Sequence, residues 1–211
     1  MLSFLANWFV KITGWYLYLP IYRPKIHYED KKVQGRRIKG KAIVCSNHTE
    51  VWDFAQMLFL FPTRTLRCVV AELMYEKNFF MSTFLKATGS IKVDRNNHDF
   101  AWIEKCNKIL DKGGVIELYP EARIPLPHEE KPQPFKPSAV YLALQSGAPI
   151  IPVYTDGNYF GKGRSHVVIG KPIDARELYD DKLSEQENLQ IITDILRNKI
   201  IELRDGIKEK Q

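Results

Sequence analysis

The chain has little cysteine and nothing to do with it in an extracellular framework. Cys45, Cys68 and Cys106 are odd in number and far apart, and Cys45 and Cys68 sit inside apolar runs. They read as reduced core thiols in a cytosolic compartment, which excludes a disulfide scaffold and a cysteine-built metal site. Around His48 no second histidine or cysteine falls at ligand spacing, so no metal is expected. There is no basic block and no aromatic RNA-binding stretch, and nucleic acid is set aside as a partner. No positively charged start followed by a small-residue cleavage site marks a secretory signal, so the Asn47-His48-Thr49 sequon is not read as glycosylated. No repeat, linker or second domain stands out, and 211 residues suit one domain with a substantial core.

What is present is an ordinary globular composition, 45% hydrophobic and 27% charged, with a net charge of +6. That balance suits acidic partners, among them anionic membrane lipid. Residues 1–22 are rich in Leu, Phe, Trp and Tyr, and interrupted by Ser3, Asn7, Lys11, Gly14 and Tyr18 at helical steps. The spacing predicts an amphipathic helix over residues 1–24, ended by Pro20 and Pro24, lying in a membrane interface with Lys11 toward the headgroups. A core helix packed on the domain is its rival. The basic segment from Lys25 to Lys41 is expected over anionic lipid.

From residue 41, apolar runs short enough for strands alternate with helical patterns. Strands are expected at Ala42–Cys45, Leu66–Ala71, Ile91–Val93, Val115–Tyr119, Pro149–Tyr154 and Ser165–Gly170. Helices are expected at Val51–Phe61, Glu72–Ala87 (whole or broken), Asp99–Asp111 and Ser138–Ser146, with a last one from Ser184 opened by a Ser184/Glu187 capping box. The expected fold is α/β: one domain, residues 25–211, with a mostly parallel twisted sheet flanked by helices.

Reactive groups in such folds gather at the carboxyl ends of strands. There, directly after Ala42–Cys45, stand Asn47, His48 and, five residues on, Asp53. On one continuous helix positions five apart diverge by about 140°. The pair can meet only if His48 lies in a turn and Asp53 in the first turn of the following helix. A neutral histidine can then take a proton from a hydroxyl while the carboxylate fixes its tautomer. Three further blocks follow: Gly89-Ser90-Ile91-Lys92-Val93-Asp94-Arg95, Glu117-Leu118-Tyr119-Pro120-Glu121-Ala122-Arg123 and Ala148-Pro149-Ile150-Ile151-Pro152-Val153. The run Phe79-Phe80-Met81 with Phe84 could line an acyl groove or be core. His27, His98, His128 and His166 lie outside any constellation and are expected to be exposed.

In kind and order the four blocks resemble those of the glycerolipid acyltransferases, the 1-acylglycerol-3-phosphate acyltransferase family, over roughly residues 40 to 155. The third block departs from the family's Phe-Pro-Glu-Gly-Thr-Arg: Tyr119 replaces Phe, Ala122 replaces Gly, and Arg123 follows with no Thr between. The family's downstream Phe-Lys-x-Gly reads Phe135-Lys136-Pro137-Ser138 here. The resemblance implies a membrane-attached O-acyltransferase of phospholipid biosynthesis on the cytoplasmic face. It would take acyl-CoA or acyl-carrier protein as co-substrate, need no cofactor, and act on a lysophospholipid. His48 would be the general base and Asp53 its orienter. Arg95 and Arg123 would grip the acceptor's phosphate, Glu121 would bind its glycerol or brace the site, and Lys92 and Lys136 would assist. A membrane-bound esterase or thioesterase, or a non-catalytic lipid-binding relative, are the alternatives. Oligomeric state is not legible.

Overall fold

A computed structural model describes residues 2–94, 101–160 and 163–208. A seven-stranded sheet has the order β1-β7-β6-β2-β5-β3-β4. The strands are β1 (Lys25–Tyr28), β2 (Ala42–Ser46), β3 (Leu66–Ala71), β4 (Ile91–Val93), β5 (Val115–Leu118), β6 (Ile150–Thr155) and β7 (His166–Ile169). All pairings are parallel except β6 with β7. The helices are α1 (Leu2–Tyr22), α2 (Asp53–Leu60), α3 (Glu72–Glu76), α4 (Phe79–Thr88), α5 (Ala101–Asp111), α6 (Ser138–Ser146) and α7 (Glu185–Lys208).

β2 lies between β5 and β6 and is buried on both faces, which is why it reads as an unbroken apolar run rather than an alternating one. Ile43 and Cys45 point into a core with Leu110 of α5, Leu142 of α6 and Ile192, Leu196 and Ile200 of α7. Ala42 and Val44 point the other way, onto Met57 and Leu60 of α2 and Phe61 just past its end. The three cysteines are free, and Cys45 and Cys106 are fully buried. The expected α/β architecture is therefore present, with boundaries displaced by a residue or two and the Glu72–Ala87 segment broken into α3 and α4. The Ser184/Glu187 box caps α7 as expected, Ser184 N donating to Glu187 Oε2 at 2.9 Å and Glu187 N to Ser184 Oγ at 3.3 Å.

Three expectations need correcting. The segment after α1 contributes β1, an edge strand parallel to β7, which its half-polar Lys25-Ile26-His27-Tyr28 conceals. His27 and His166 stack across that pair at 5.2 Å, so neither ring stands free in solvent. The expected helix from Asp99 begins outside the described residues, and α5 is described from Ala101.

The third correction concerns α1. Pro20 lies inside the helix, which continues to Tyr22; the carbonyl that Pro20 leaves unpaired belongs to Tyr16, which is exposed. More important, the helix is turned the other way round from the expectation. Asn7, Lys11 and Tyr18 are buried, and Gly14 lets the Phe59 ring lie directly against the helix backbone. Lys11 is not aimed at headgroups. Its ammonium donates to the carbonyls of Phe61 (2.8 Å) and Arg64, completing the C-terminal end of α2 where the helix has no further N–H to offer. Burial lowers the Lys11 pKa to about 8. The outward face carries Phe9, Ile12, Tyr16 and Leu17, with Tyr16 81% exposed. α4, packed alongside α1, leaves Phe79 and Phe80 exposed as well. Among the described residues no helix is long and apolar enough to cross a membrane.

Candidate active site

At the carboxyl end of β2 the chain turns through Asn47–Trp52 and enters α2 at Asp53. The Asn47 side chain fixes where the strand stops. Its Nδ2 donates to Thr155 O (2.9 Å) and its Oδ1 accepts from Thr155 N (2.8 Å), tying the ends of β2 and β6 together. Asp53 then folds the turn back on itself. Its Oδ2 accepts from the backbone N–H of Thr49 (2.6 Å) and Glu50 (3.0 Å), and its Oδ1 from Thr49 Oγ1 (2.7 Å). The break that the five-residue spacing requires is present, and it brings His48 Nδ1 to 2.7 Å from Asp53 Oδ2.

Asp53 is fully buried and His48 is 20% exposed. An ionised carboxylate only accepts, so Nδ1 carries the ring proton and Nε2 of the neutral imidazole keeps its lone pair. One donor to Asp53 comes from outside the motif. Tyr159 Oη, buried, donates to Asp53 Oδ1 at 2.5 Å. Burial raises the Tyr159 phenol far above its ordinary range, so it stays a donor. No spacing rule links residues 53 and 159; the only signal was a tyrosine just beyond a strand end.

The third block supplies the ceiling and the brace. Tyr119 stacks on the His48 ring at 4.4 Å, and its hydroxyl donates to Glu117 Oε1 at 2.5 Å. Burial raises the Glu117 carboxyl to about 8. Glu121, also buried, accepts from His48 N (2.7 Å) and from Gln133 N (2.8 Å), so its oxygens hold the His48 backbone to the proline-rich loop. Burial raises its pKa also. Both carboxylate oxygens of Glu121 are thus engaged by backbone N–H groups. Ala122, where the family carries glycine, has φ +61°, a left-handed backbone that glycine adopts without cost.

An apolar cleft of about 170 Å³ opens beside His48. Phe54, Leu58, Met74, Met81 and Phe84 line it, with Glu117 and Tyr119 at the histidine end. The expected acyl-groove run thus divides: Met81 and Phe84 face the cleft, whereas Phe79 and Phe80 face out.

The remaining expected site residues that the structure describes are not gathered here. Arg123 is engaged by Glu129 at 2.6 Å through both terminal nitrogens and by Gln133 at 2.8 Å, along the loop rather than in the cleft. Lys92 pairs with Glu72. Lys136 is exposed. Arg95 lies outside the described residues. Among the described residues, no group of three or more His, Cys, Asp or Glu side chains gathers as a metal site.

A mostly parallel α/β sheet carries a buried carboxylate–histidine pair at the mouth of an apolar cleft, and comparison with known proteins places this arrangement among the acyltransferases. The chain belongs to the Acyltransferase family, whose model matches residues 23–156. It is similar to the 1-acyl-sn-glycerol-3-phosphate acyltransferase of Bacillus subtilis, at 26% identity over 138 residues, covering 63% of this chain and 66% of that one. It is also similar to the enzyme of that name from Saccharomyces cerevisiae, at 28% identity over 171 residues, covering 74% of this chain and 55% of the relative. The chain thus spans between about half and two thirds of the length of these relatives. Among solved structures, the 1-acyl-sn-glycerophosphate (LPA) acyltransferase PlsC of Thermotoga maritima shares the fold. Its TM-score is 0.66 at 17% identity, covering 94% of this chain and 79% of that one.

Proposed function

We propose that this protein transfers a fatty acyl group from acyl-CoA or acyl-carrier protein to the free hydroxyl of a lysophospholipid, with 1-acylglycerol 3-phosphate as the acceptor. The observation that carries this reading is the 2.7 Å contact between His48 and buried Asp53 beside an apolar cleft. His48 Nε2 takes the hydroxyl proton as the acceptor oxygen attacks the thioester carbonyl. The tetrahedral intermediate collapses, the C–S bond breaks, and the imidazolium returns the proton to the departing thiolate. Asp53 orients the ring and offsets the imidazolium charge, without itself taking the proton. The acyl chain lies against Met81 and Phe84.

Because Arg123 is held by Glu129, its phosphate-gripping role requires that the acceptor phosphate displace that carboxylate. Attachment to the cytoplasmic face of the membrane is by α1, through the outward Phe9, Ile12, Tyr16 and Leu17 rather than through Lys11.

The test is transfer of labelled acyl groups from both donors to a panel of lysophospholipids, with wild type and His48→Ala side by side. Wild type forms diacyl product with 1-acylglycerol 3-phosphate, and His48→Ala loses about 10²–10⁴ in rate. Free fatty acid released without an acceptor would make the protein a hydrolase. Binding of lysophospholipid with no turnover in folded wild type would make it a lipid-binding relative.

A further inference from the structure

Away from the catalytic cleft, at the C-terminal end of α1, lies an open cleft of about 450 Å³ edged by Arg23, Arg36 and Arg164. No carboxylate lines it, and among the described residues none forms an ion pair with any of the three arginines. Two of the guanidiniums are fixed by backbone carbonyls rather than by counter-charges. Arg36 Nε donates to Leu60 O (2.8 Å) and its Nη2 to Phe59 O (2.9 Å). Arg164 Nε donates to Arg23 O (3.1 Å) and its Nη2 to Pro24 O (2.8 Å). Neutral acceptors hold these side chains in place and leave their charges uncompensated, each with donors to spare. Arg23, between them, has φ +42°, a left-handed backbone that a residue with a Cβ adopts at a cost.

A second, independent feature belongs to the same cleft. Tyr18, which helps line it, is 2% exposed, yet its hydroxyl has no hydrogen-bond partner. Arg36 and the side chain of buried Gln56, itself without a partner of ordinary geometry, both lie close to that phenol. Buried donors are nearly always satisfied, and an orphan beside three uncompensated guanidiniums calls for an acceptor rich in oxygens and negative charge. Trp15, Leu19, Pro24 and Ile26 complete the cleft's lining, and Leu19 is also one of the residues that α1 exposes. The oxyanion would therefore sit where the outward apolar surface of α1 ends.

The geometry points to a binding site for the phosphate of an anionic membrane phospholipid, separate from the acceptor's place at His48. Arg23, Arg36, Arg164 and the Tyr18 hydroxyl grip the headgroup while its chains continue beside the apolar face of α1. The site rests on the membrane attachment of α1 proposed above but not on the catalytic role of His48. A free phosphate would satisfy the same donors. The lipid is the source because the cleft adjoins the apolar face, which gives a headgroup's hydrocarbon chains somewhere to go.

The experiment is sedimentation of the full chain with sucrose-loaded vesicles of phosphatidylcholine alone, or with roughly 30% phosphatidylglycerol, at physiological salt. Wild type partitions onto the anionic vesicles about tenfold more strongly. Arg23→Gln with Arg164→Gln removes most of that preference. Lys105→Gln with Lys112→Gln makes the same change in net charge on the opposite side of the sheet and leaves it within about twofold. Tyr18→Phe, which alters no charge, lowers the preference by about threefold, and Gln56→Leu, which removes the phenol's neighbouring amide, does not.

Equal losses in the arginine and lysine pairs, or no effect of Tyr18→Phe, would reduce the cleft to diffuse charge and overturn the site. Release from anionic vesicles by inorganic phosphate at matched ionic strength would assign it to a free anion instead. Wild type bound to neutral vesicles without preference would sink the headgroup site alone. Wild type bound to neither vesicle would sink the attachment of α1 with it.

Discussion

Tyr159 donates its hydroxyl hydrogen to Asp53 at 2.5 Å, on the carboxylate oxygen that does not face His48. The ring of Tyr159 in turn packs on Tyr22 at 4.9 Å, so a residue of α1 stands two contacts from the Asp53 carboxylate. Tyr159→Phe keeps the ring and removes the donor. Hydrogen bonds to charged groups contribute about 1.5–3 kcal/mol, and part of that appears as loosened orientation of the pair. The expected outcome is a kcat lowered about tenfold with KM little changed. An unchanged kcat would mean that the hydroxyl only fills space.

Ala122→Gly should stabilise the protein. At φ +61° the alanine Cβ crowds its own carbonyl, a cost of about 1–2 kcal/mol that glycine does not have. Glycine's greater freedom in the unfolded chain cancels part of the gain. A net of about 1 kcal/mol raises Tm by about 2–4 °C for a chain of this size, read by calorimetry. A lower Tm would show that the backbone here is held by contacts that the methyl group makes with the cleft.

Glu117 gives a pH dependence whose sign follows from burial. Its carboxyl titrates at about 8 in the folded protein against an ordinary 4.5. Between those values the native state holds a proton that the unfolded state has released. Stability contributed by this group is therefore fully present below about pH 4.5 and is lost as pH rises through 8. Glu117→Gln, uncharged throughout, removes that dependence. In denaturant melts the variant should gain on wild type steadily from pH 5 to pH 8. A constant difference across that range would mean that Glu117 is already ionised near pH 5.

The sheet and the His48–Asp53 pair were legible because both depend on local pattern. Short apolar runs punctuated by Gly and Pro give strands, and a strand ending in Asn-His with an Asp five on requires a particular turn. β1 escaped because its alternation, Ile26 and Tyr28 inward with Lys25 and His27 between, runs for only four residues inside a basic segment. The sense of α1 escaped for a different reason. Periodicity locates a polar stripe but not which way it points. Here three carbonyls at the end of α2 draw Lys11 inward, and no periodicity in residues 1–22 contains them. Tyr159 lies 106 residues from Asp53, and only the folded sheet places them together.

The inverted helix makes two opposite predictions for residues on one turn of chain. Lys11→Ala strands buried carbonyls of Phe61 and Arg64, each costing about 1–3 kcal/mol. It should therefore lower Tm while leaving vesicle binding of the folded fraction unchanged. Phe9→Gln with Tyr16→Gln removes two rings that are 68% and 81% exposed. Stability should hold within about 0.5 kcal/mol, because neither ring is part of the core. Partition onto phosphatidylcholine vesicles should fall at least tenfold, since two aromatic groups leave the bilayer interface. If instead Lys11→Ala releases the protein from vesicles and the double substitution does not, the polar stripe faces the membrane after all, and the orientation of α1 is wrong.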